Sequence, residues 1–423
     1  MTARRPILTA IVALSALLFM TAPALGQEST PLEGIEAIRS QLGVPALAAH
    51  GVRWDGDHAI TAGPWAVGDR AIGPDGPSGV PATVGDLWHI GSCAKAVTAT
   101  LLATYVAEGK LAWTDTLVEA LPELADEMSE TAASATIADL LRHRAGLPPN
   151  PTGVLMLRLF EEEARTGREA AILEALAEAR DAPGPGEPSR YSNFGYMVAG
   201  VIAERLGGRA YEDLVFERVL APLGVRAHDF GFGPPPAGED ASQPEQPMGH
   251  RRRPDESWVA QLPVRQRGQL PSDNPPAFGP AGTMHMSLDA WGRFCMAHAR
   301  GDDLADGERD ALGLRREDYA ELHRPVETFA CGWVVSQRGW AGDGEGGGRT
   351  LSHNGSNTLW FATAWIAPEK DWVMLATTNA AGASAPLACD RAIGVALDAL
   401  RETNSPSSGG QARPEQGEDE SGQ

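Results

Sequence analysis

The chain has 423 residues, with 35 basic and 56 acidic side chains, a formal net charge of −21 and 43% apolar residues. That acidity excludes nucleic acid and an anionic membrane surface as partners, since both repel a protein of like charge. The length is enough to bury a large core, and the composition is that of an ordinary globular protein.

From the N-terminus, Arg4 and Arg5 lead into an apolar run, Ile7 to Met20, followed by Ala24-Leu25-Gly26 before Gln27. This is the pattern of a secretory signal, so residues 1–26 are expected to be removed near Gly26. The apolar run is short for a bilayer, and no stable membrane span is expected after cleavage. The mature chain is therefore expected to be exported, to the periplasm or beyond the cell. The four cysteines, Cys93, Cys295, Cys331 and Cys389, lack metal-ligand spacing. An oxidising compartment would permit up to two disulfides, with no pairing selected. Cys93 reads as a small buried hydrophobe.

Leu32, Ile35, Ile38 and Leu42 share one stripe and predict a helix over 32–42. Strands are expected over 44–52 and 58–67, separated by an Asp55-Gly56 turn. A Gly/Pro-rich loop, 72–82, precedes Leu87-Trp88-His89-Ile90-Gly91. Ser92 then opens a helix to about Glu108, with Val97, Leu101, Leu102, Tyr105 and Val106 as its buried face and Gly109 at its C-cap. A mostly helical stretch, 114–223, includes a long charged helix over 154–180. Residues 231–280 are proline-rich and without periodicity, as in a lid or linker, and Arg251-Arg252-Arg253 reads as a solvated charge run. A helix over 286–300, strands at 332–336, 350–353, 361–366 and 372–377, and a closing helix over 389–401 complete the chain. Residues 402–423 have the composition of a disordered acidic tail.

Chemistry enters at Ser92-Cys93-Ala94-Lys95. Lys95 is one of three lysines, with Lys110 and Lys370, in a chain whose other basic residues are all arginine. Arginine stays protonated and cannot act as a base, whereas a buried lysine amine shifts its pKa readily. On a helix, Lys95 lies one turn above Ser92 on the same face, and the helix dipole favours negative charge developing at Ser92. Alone, an S-x-x-K match is also what an ordinary surface lysine would produce. Two further motifs follow in order: Tyr191-Ser192-Asn193 before an apolar helix, and Ser352-His353-Asn354-Gly355-Ser356 at the end of a strand-like run.

In these three boxes the chain resembles the serine β-lactamase-related superfamily, which includes class C β-lactamases, D-Ala-D-Ala carboxypeptidases, family VIII carboxylesterases and D-aminopeptidases. The connecting segments are similar too: Gly109-Lys110-Leu111 with Leu121-Pro122-Glu123-Leu124, IADLLRHRAGLP over 137–148, and Gly279-Pro280-Ala281-Gly282. The resemblance implies an α+β, β-lactamase/transpeptidase-like fold in which an antiparallel sheet is flanked by helices. Its α/β part would span about 30–110 and 285–401 within a hydrolase domain of 27–401, and a mainly helical domain, about 111–284, would be inserted.

The resemblance also implies a serine hydrolase in which Ser92 forms an acyl-enzyme, Lys95 and Tyr191 move its proton, and Asn193 contacts Lys95 and the substrate amide. Whether Lys95 or Tyr191 is the acylation base stays open. Backbone N–H groups of Ser92 and Ser356 would hold the oxyanion. The third box departs from the lysine of β-lactamases: His353 offers only part of that charge at neutral pH, and Asn354 replaces the usual threonine. Both departures weigh against efficient β-lactam hydrolysis. The expected activity is that of an esterase or a D-Ala-D-Ala carboxypeptidase-like D-peptidase, on a carboxylic ester or a D-amino-acid-type amide, a small molecule or a peptidoglycan-type peptide. The alternatives are a β-lactamase and a penicillin-binding protein that acylates without turnover. No cofactor and no metal are expected, and His143 reads as a structural histidine.

Overall fold

The computed structural model describes residues 30–403, apart from Pro185 and residues 263–270. The expected signal segment, 1–26, and the expected tail from residue 404 onward lie outside the described residues.

Helix α1 (Pro31–Leu42) begins where a helix should: Thr30 and Glu33 form a reciprocal capping box, and Gly43 ends it in the left-handed conformation. Six strands follow in one sheet: β1 (Ala46–Trp54), β2 (Ala59–Gly68), β3 (Val334–Arg338), β4 (Gly348–Ser356), β5 (Phe361–Ala367) and β6 (Trp372–Thr378). Their spatial order is β3-β4-β5-β6-β1-β2, every neighbouring pair antiparallel. The sheet is thus closed by pairing β1, from the start of the chain, with β6, from near its end.

Both faces of this sheet are covered, so its central strands read as continuous apolar runs. Along β6, Val373 and Leu375 enter one core while Trp372, Met374 and Ala376 enter the other. The second core is closed by α1 and by the final helix α5 (Ser384–Thr403), through Ile35, Ala388, Ala392 and Leu400. Gly51 in β1 permits the close seat of α5, since a Cβ there would lie 2.9 Å from Leu400 Cγ. The larger core joins the opposite face to helices α2 (Ala94–Ala107), α3 (Asn193–Gly207) and α4 (Leu288–Arg300). Helix α2 is central: Ala94 through Tyr105, Lys95 included, are buried on every side. Its run of alanines and threonines lets neighbouring helices approach closely. A small three-stranded sheet, Met284–Ser287 between Leu87–His89 and Phe230–Phe232, ties the chain ahead of α2 to the chain ahead of α4.

Several expectations need correction. The long helix over 154–180 is two helices, Gly153–Leu159 and Ala164–Glu178. Glu161, Glu162 and Glu163 lie between them, where acids oppose the negative end of the first dipole and suit the positive end of the second. Segment 231–280 is not featureless: His250–Arg252 pairs with Trp258–Ala260, in strands too short for alternation to register. Arg251 and Arg252 are exposed there, as a solvated charge run would be. The helix expected from 286 is preceded by the strand Met284–Ser287 and starts at Leu288, with the Ser287 hydroxyl accepting from Ala290 N. The closing helix runs from Ser384 to Thr403, so residues 402 and 403 belong to it and not to a tail. All four cysteines are buried and unpaired. Among the described residues, no helix is long and apolar enough to cross a membrane.

Candidate active site

Ser92 sits in a single 3-10 turn, Gly91–Cys93, that leads directly into α2. One turn further, the Lys95 side chain is fully buried and donates to Ser92 Oγ at 3.1 Å and to Asn193 Oδ1 at 2.7 Å. It also donates to the carbonyl of Ala281, in the short helix Gly279–Gly282. Two of these three acceptors, the amide oxygen and the carbonyl, can only accept. They fix two N–H directions, and the third position of the nitrogen faces the hydroxyl of Ser92. Burial pushes the Lys95 amine well below the usual lysine range.

Tyr191 Oη donates to Ser92 Oγ at 2.8 Å, from the residue just ahead of the α3 N-cap. Burial holds its phenol above the ordinary tyrosine range, so it is a neutral donor at physiological pH. The Ser192 hydroxyl caps α3 by accepting from Gly195 N at 3.1 Å and donates to Pro148 O at 2.5 Å. His143 stands in the left-handed conformation, its Nδ1 accepting from Ser192 N at 3.1 Å and its ring centroid 4.3 Å from that of Tyr191. Burial first, and then Lys95 and His353, hold its imidazole well below the usual histidine range. Its ring packs against that of Tyr191.

The four residues His353 to Ser356 continue β4 beyond the end of its pairing with β3, which stops at Ser352. This stretch, unpaired with β3 but still paired with β5, lies directly against the Ser92 turn. A Cβ on Gly355 would be 1.9 Å from Ile90 O and 2.9 Å from Ser92 N, and one on Gly91 would be 2.5 Å from Ser356 N. Cys93 Sγ completes the seam by donating to His353 O at 3.4 Å. The His353 ring is buried, and its Nδ1 is 2.7 Å from Asn354 O. Burial, and then Lys95, push it down to about 4, so it is neutral at physiological pH. Asn354 is exposed on the opposite face of the strand, its Oδ1 accepting from Thr363 Oγ1 at 2.7 Å.

The structure therefore brings Ser92, Lys95, Tyr191 and Asn193 into one hydrogen-bonded cluster and sets the backbone of Gly355 and Ser356 beside it. Two partners escaped the sequence. Asn150 accepts from Asn193 Nδ2 at 2.6 Å, leaving the Asn193 amide engaged at both ends. Its only signal was a position just after Pro148-Pro149. Ala281 contributes through its carbonyl, which any residue could supply. Among the described residues, no group of three or more His, Cys, Asp or Glu side chains could hold a metal ion.

A family model described as Beta-lactamase matches residues 44–398. Penicillin-binding protein 4 of Amycolatopsis lactamdurans is 26% identical over 364 residues, covering 82% of this chain and 84% of that protein. D-amino acid amidase from Ochrobactrum anthropi SV3, complexed with L-phenylalanine amide, superposes with a TM-score of 0.63 at 19% identity, covering 89% of this chain and 100% of the amidase. A class C beta lactamase from Rhodobacter sphaeroides superposes with a TM-score of 0.60 at 16% identity, over 89% of this chain and 99% of its own. At such identities these two structures share the fold.

Proposed function

Because the chain belongs to the beta-lactamase family and is a serine hydrolase that works through an acyl-enzyme, we propose that Ser92 carries the acyl group and that the substrate is a neutral carboxylic ester or a D-amino-acid-type amide. In this scheme Ser92 Oγ attacks the acyl carbon while its proton passes to the neutral amine of Lys95. Lys95 is the better base because its remaining coordination position faces Ser92 and burial lowers its pKa, whereas burial raises that of Tyr191. The backbone N–H groups of Ser92 and Ser356 stabilise the tetrahedral oxyanion, each contributing roughly 3 kcal/mol by comparison with other hydrolases. Tyr191 then gives its phenolic proton to the leaving group and is reprotonated by the Lys95 ammonium, which restores the neutral amine, and reversing these transfers lets water release the acyl group. Asn193 holds Lys95 in register.

The observation that carries the substrate class is His353. Where β-lactamases present a lysine, this chain has a buried imidazole held down to about 4, so β4 offers no permanent cation for a substrate carboxylate. Neutral acyl donors are therefore favoured over β-lactams and over peptides ending in a free carboxylate. The test is a panel of p-nitrophenyl esters, D-amino-acid amides, a D-Ala-D-Ala peptide and benzylpenicillin, read by turnover and by intact mass with Ser92→Ala as control. Ester or D-amide turnover that exceeds penicillin turnover and is abolished in Ser92→Ala is expected. Fast benzylpenicillin hydrolysis overturns the substrate class, and activity surviving in Ser92→Ala overturns the nucleophile.

A second reading rests on the penicillin-binding protein among the relatives: acylation by penicillin with slow release, visible in the same experiment as a lasting adduct. We also propose that the protein acts outside the cytoplasm after loss of residues 1–26, a cleavage that N-terminal sequencing of envelope or medium fractions would detect.

A further inference from the structure

A buried polar chain runs behind the nucleophile turn and uses none of the residues of the three boxes. His89, two residues before Gly91, accepts at Nδ1 from Gly91 N at 3.1 Å. Its Nε2 is 2.9 Å from Asp273 Oδ2. Asp273 Oδ1 accepts from Asn357 Nδ2 at 2.8 Å and from Asn274 N at 2.7 Å. Asn357 Oδ1 in turn accepts from Leu359 N and Trp360 N, both at 3.1 Å. His89, Asp273 and Asn357 are 0%, 9% and 5% exposed, so each depends on these partners in place of water. The His89 ring also stacks over Trp360, with centroids 6.4 Å apart.

The two ends of this chain are the two backbones that meet at Ser92. One end holds the peptide N–H immediately before the Ser92 peptide, and the other holds the turn that immediately follows Ser356. Because Gly91 N–H donates to Nδ1, the proton of a neutral His89 must be on Nε2, and a carboxylate is the partner that accepts it. We infer that His89, Asp273 and Asn357 are positioning residues that set the separation and alignment of the Ser92 and Ser356 N–H groups, with Asp273 fixing the tautomer of His89. This rests on the proposed acylation at Ser92.

The logic makes Asp273→Asn informative. An asparagine can keep its oxygen toward Asn274 N and Asn357, but it then presents N–H to His89 Nε2. His89 must move its proton to Nδ1, where it confronts the Gly91 N–H. The expected result for p-nitrophenyl acetate hydrolysis is a kcat about 10²-fold lower, the scale of one lost oxyanion donor, with KM within about threefold of wild type. His89→Asn retains an acceptor toward Gly91 but no contact with Asp273, so in that background Asp273→Asn should cost little more. Losses that multiply in the double variant, or wild-type kcat in Asp273→Asn, overturn the inference. Should Asp273→Asn fail to fold, His89→Asn is compared with His89→Leu: at least about tenfold more kcat in the asparagine variant is expected, and equal loss refutes the role.

The rate at which a fluorophosphonate labels Ser92, followed by intact mass, separates this from failure of the parent scheme. No label on the wild-type protein breaks the Ser92 assignment. Label forming at the same rate on wild type and Asp273→Asn breaks only the positioning role.

Discussion

Gly355→Ala tests the seam between β4 and the nucleophile turn. The added Cβ would lie 1.9 Å from Ile90 O, whereas side-chain carbons keep at least 3.0 Å, so the two backbones must part by about 1 Å. The obstruction is backbone on both sides, in a strand paired with β5 and a turn leading into a buried helix, and no side chain can swing away. A shift of 1 Å moves the Ser356 N–H off the line to a developing oxyanion, and misplacement on that scale costs about 10²-fold in rate. The expected kcat is therefore about 10²-fold lower, equivalent to about 2.7 kcal/mol of transition-state stabilisation. Ester turnover is measured beside near-UV circular dichroism, with Gly394→Ala in α5 as control. A Cβ at Gly394 meets nothing within 4 Å, so that variant should keep its activity and gain about 0.5–1 kcal/mol of stability from helix propensity. A folded Gly355→Ala enzyme with kcat within about threefold of wild type would refute the argument that this contact sets the oxyanion geometry.

Lys95→Arg replaces the buried amine with a permanent cation that cannot accept the Ser92 proton, so kcat should fall by at least about 10³-fold; turnover near wild type would remove Lys95 from the base role. In the wild-type enzyme kcat should rise with pH as Lys95 deprotonates, in a limb lying well below the usual lysine range; a limb centred near 10.5 would mean the amine is not desolvated. Stability should fall on acidification from about pH 6.5 to 4. His50, His250, His285 and His353 are each held down to about 4, so across that window the unfolded chain binds more protons than the folded one and stability rises with pH. Urea midpoints that do not change between pH 7 and 5 would contradict this. Finally, a thiol reagent should find no reactive cysteine in the folded protein and four after unfolding without reductant, because Cys93, Cys295, Cys331 and Cys389 are buried and unpaired; fewer than four would reveal a disulfide.

Much of the fold was legible because its signals are local. The stripe of α1, the apolar runs of the central strands of the main sheet and the apolar helix after Asn193 each follow from a few adjacent residues. What escaped had either too little length or no distinctive residue. The three-residue strands of 250–260 cannot display a period, and the break after Leu159 depends on where three glutamates fall relative to two dipoles.

The order and spacing of Ser92-x-x-Lys95, Tyr191-x-Asn193 and His353-x-Gly355 were written in the sequence and sufficed to name the reaction class. The replacement of the β-lactamase lysine and threonine by His353 and Asn354 was written there too, but the neutrality of the imidazole came only with its burial. Only the tertiary structure supplied the contact on which the proposal of Lys95 as the base rests, from Lys95 Nζ to the carbonyl of Ala281, 186 residues away. It alone joined His89 to Asp273 across 184 residues and seated Gly355 against Ile90. Backbone groups are the same in every residue and burial is a property of the assembled chain, so neither leaves a mark that a linear pattern can carry.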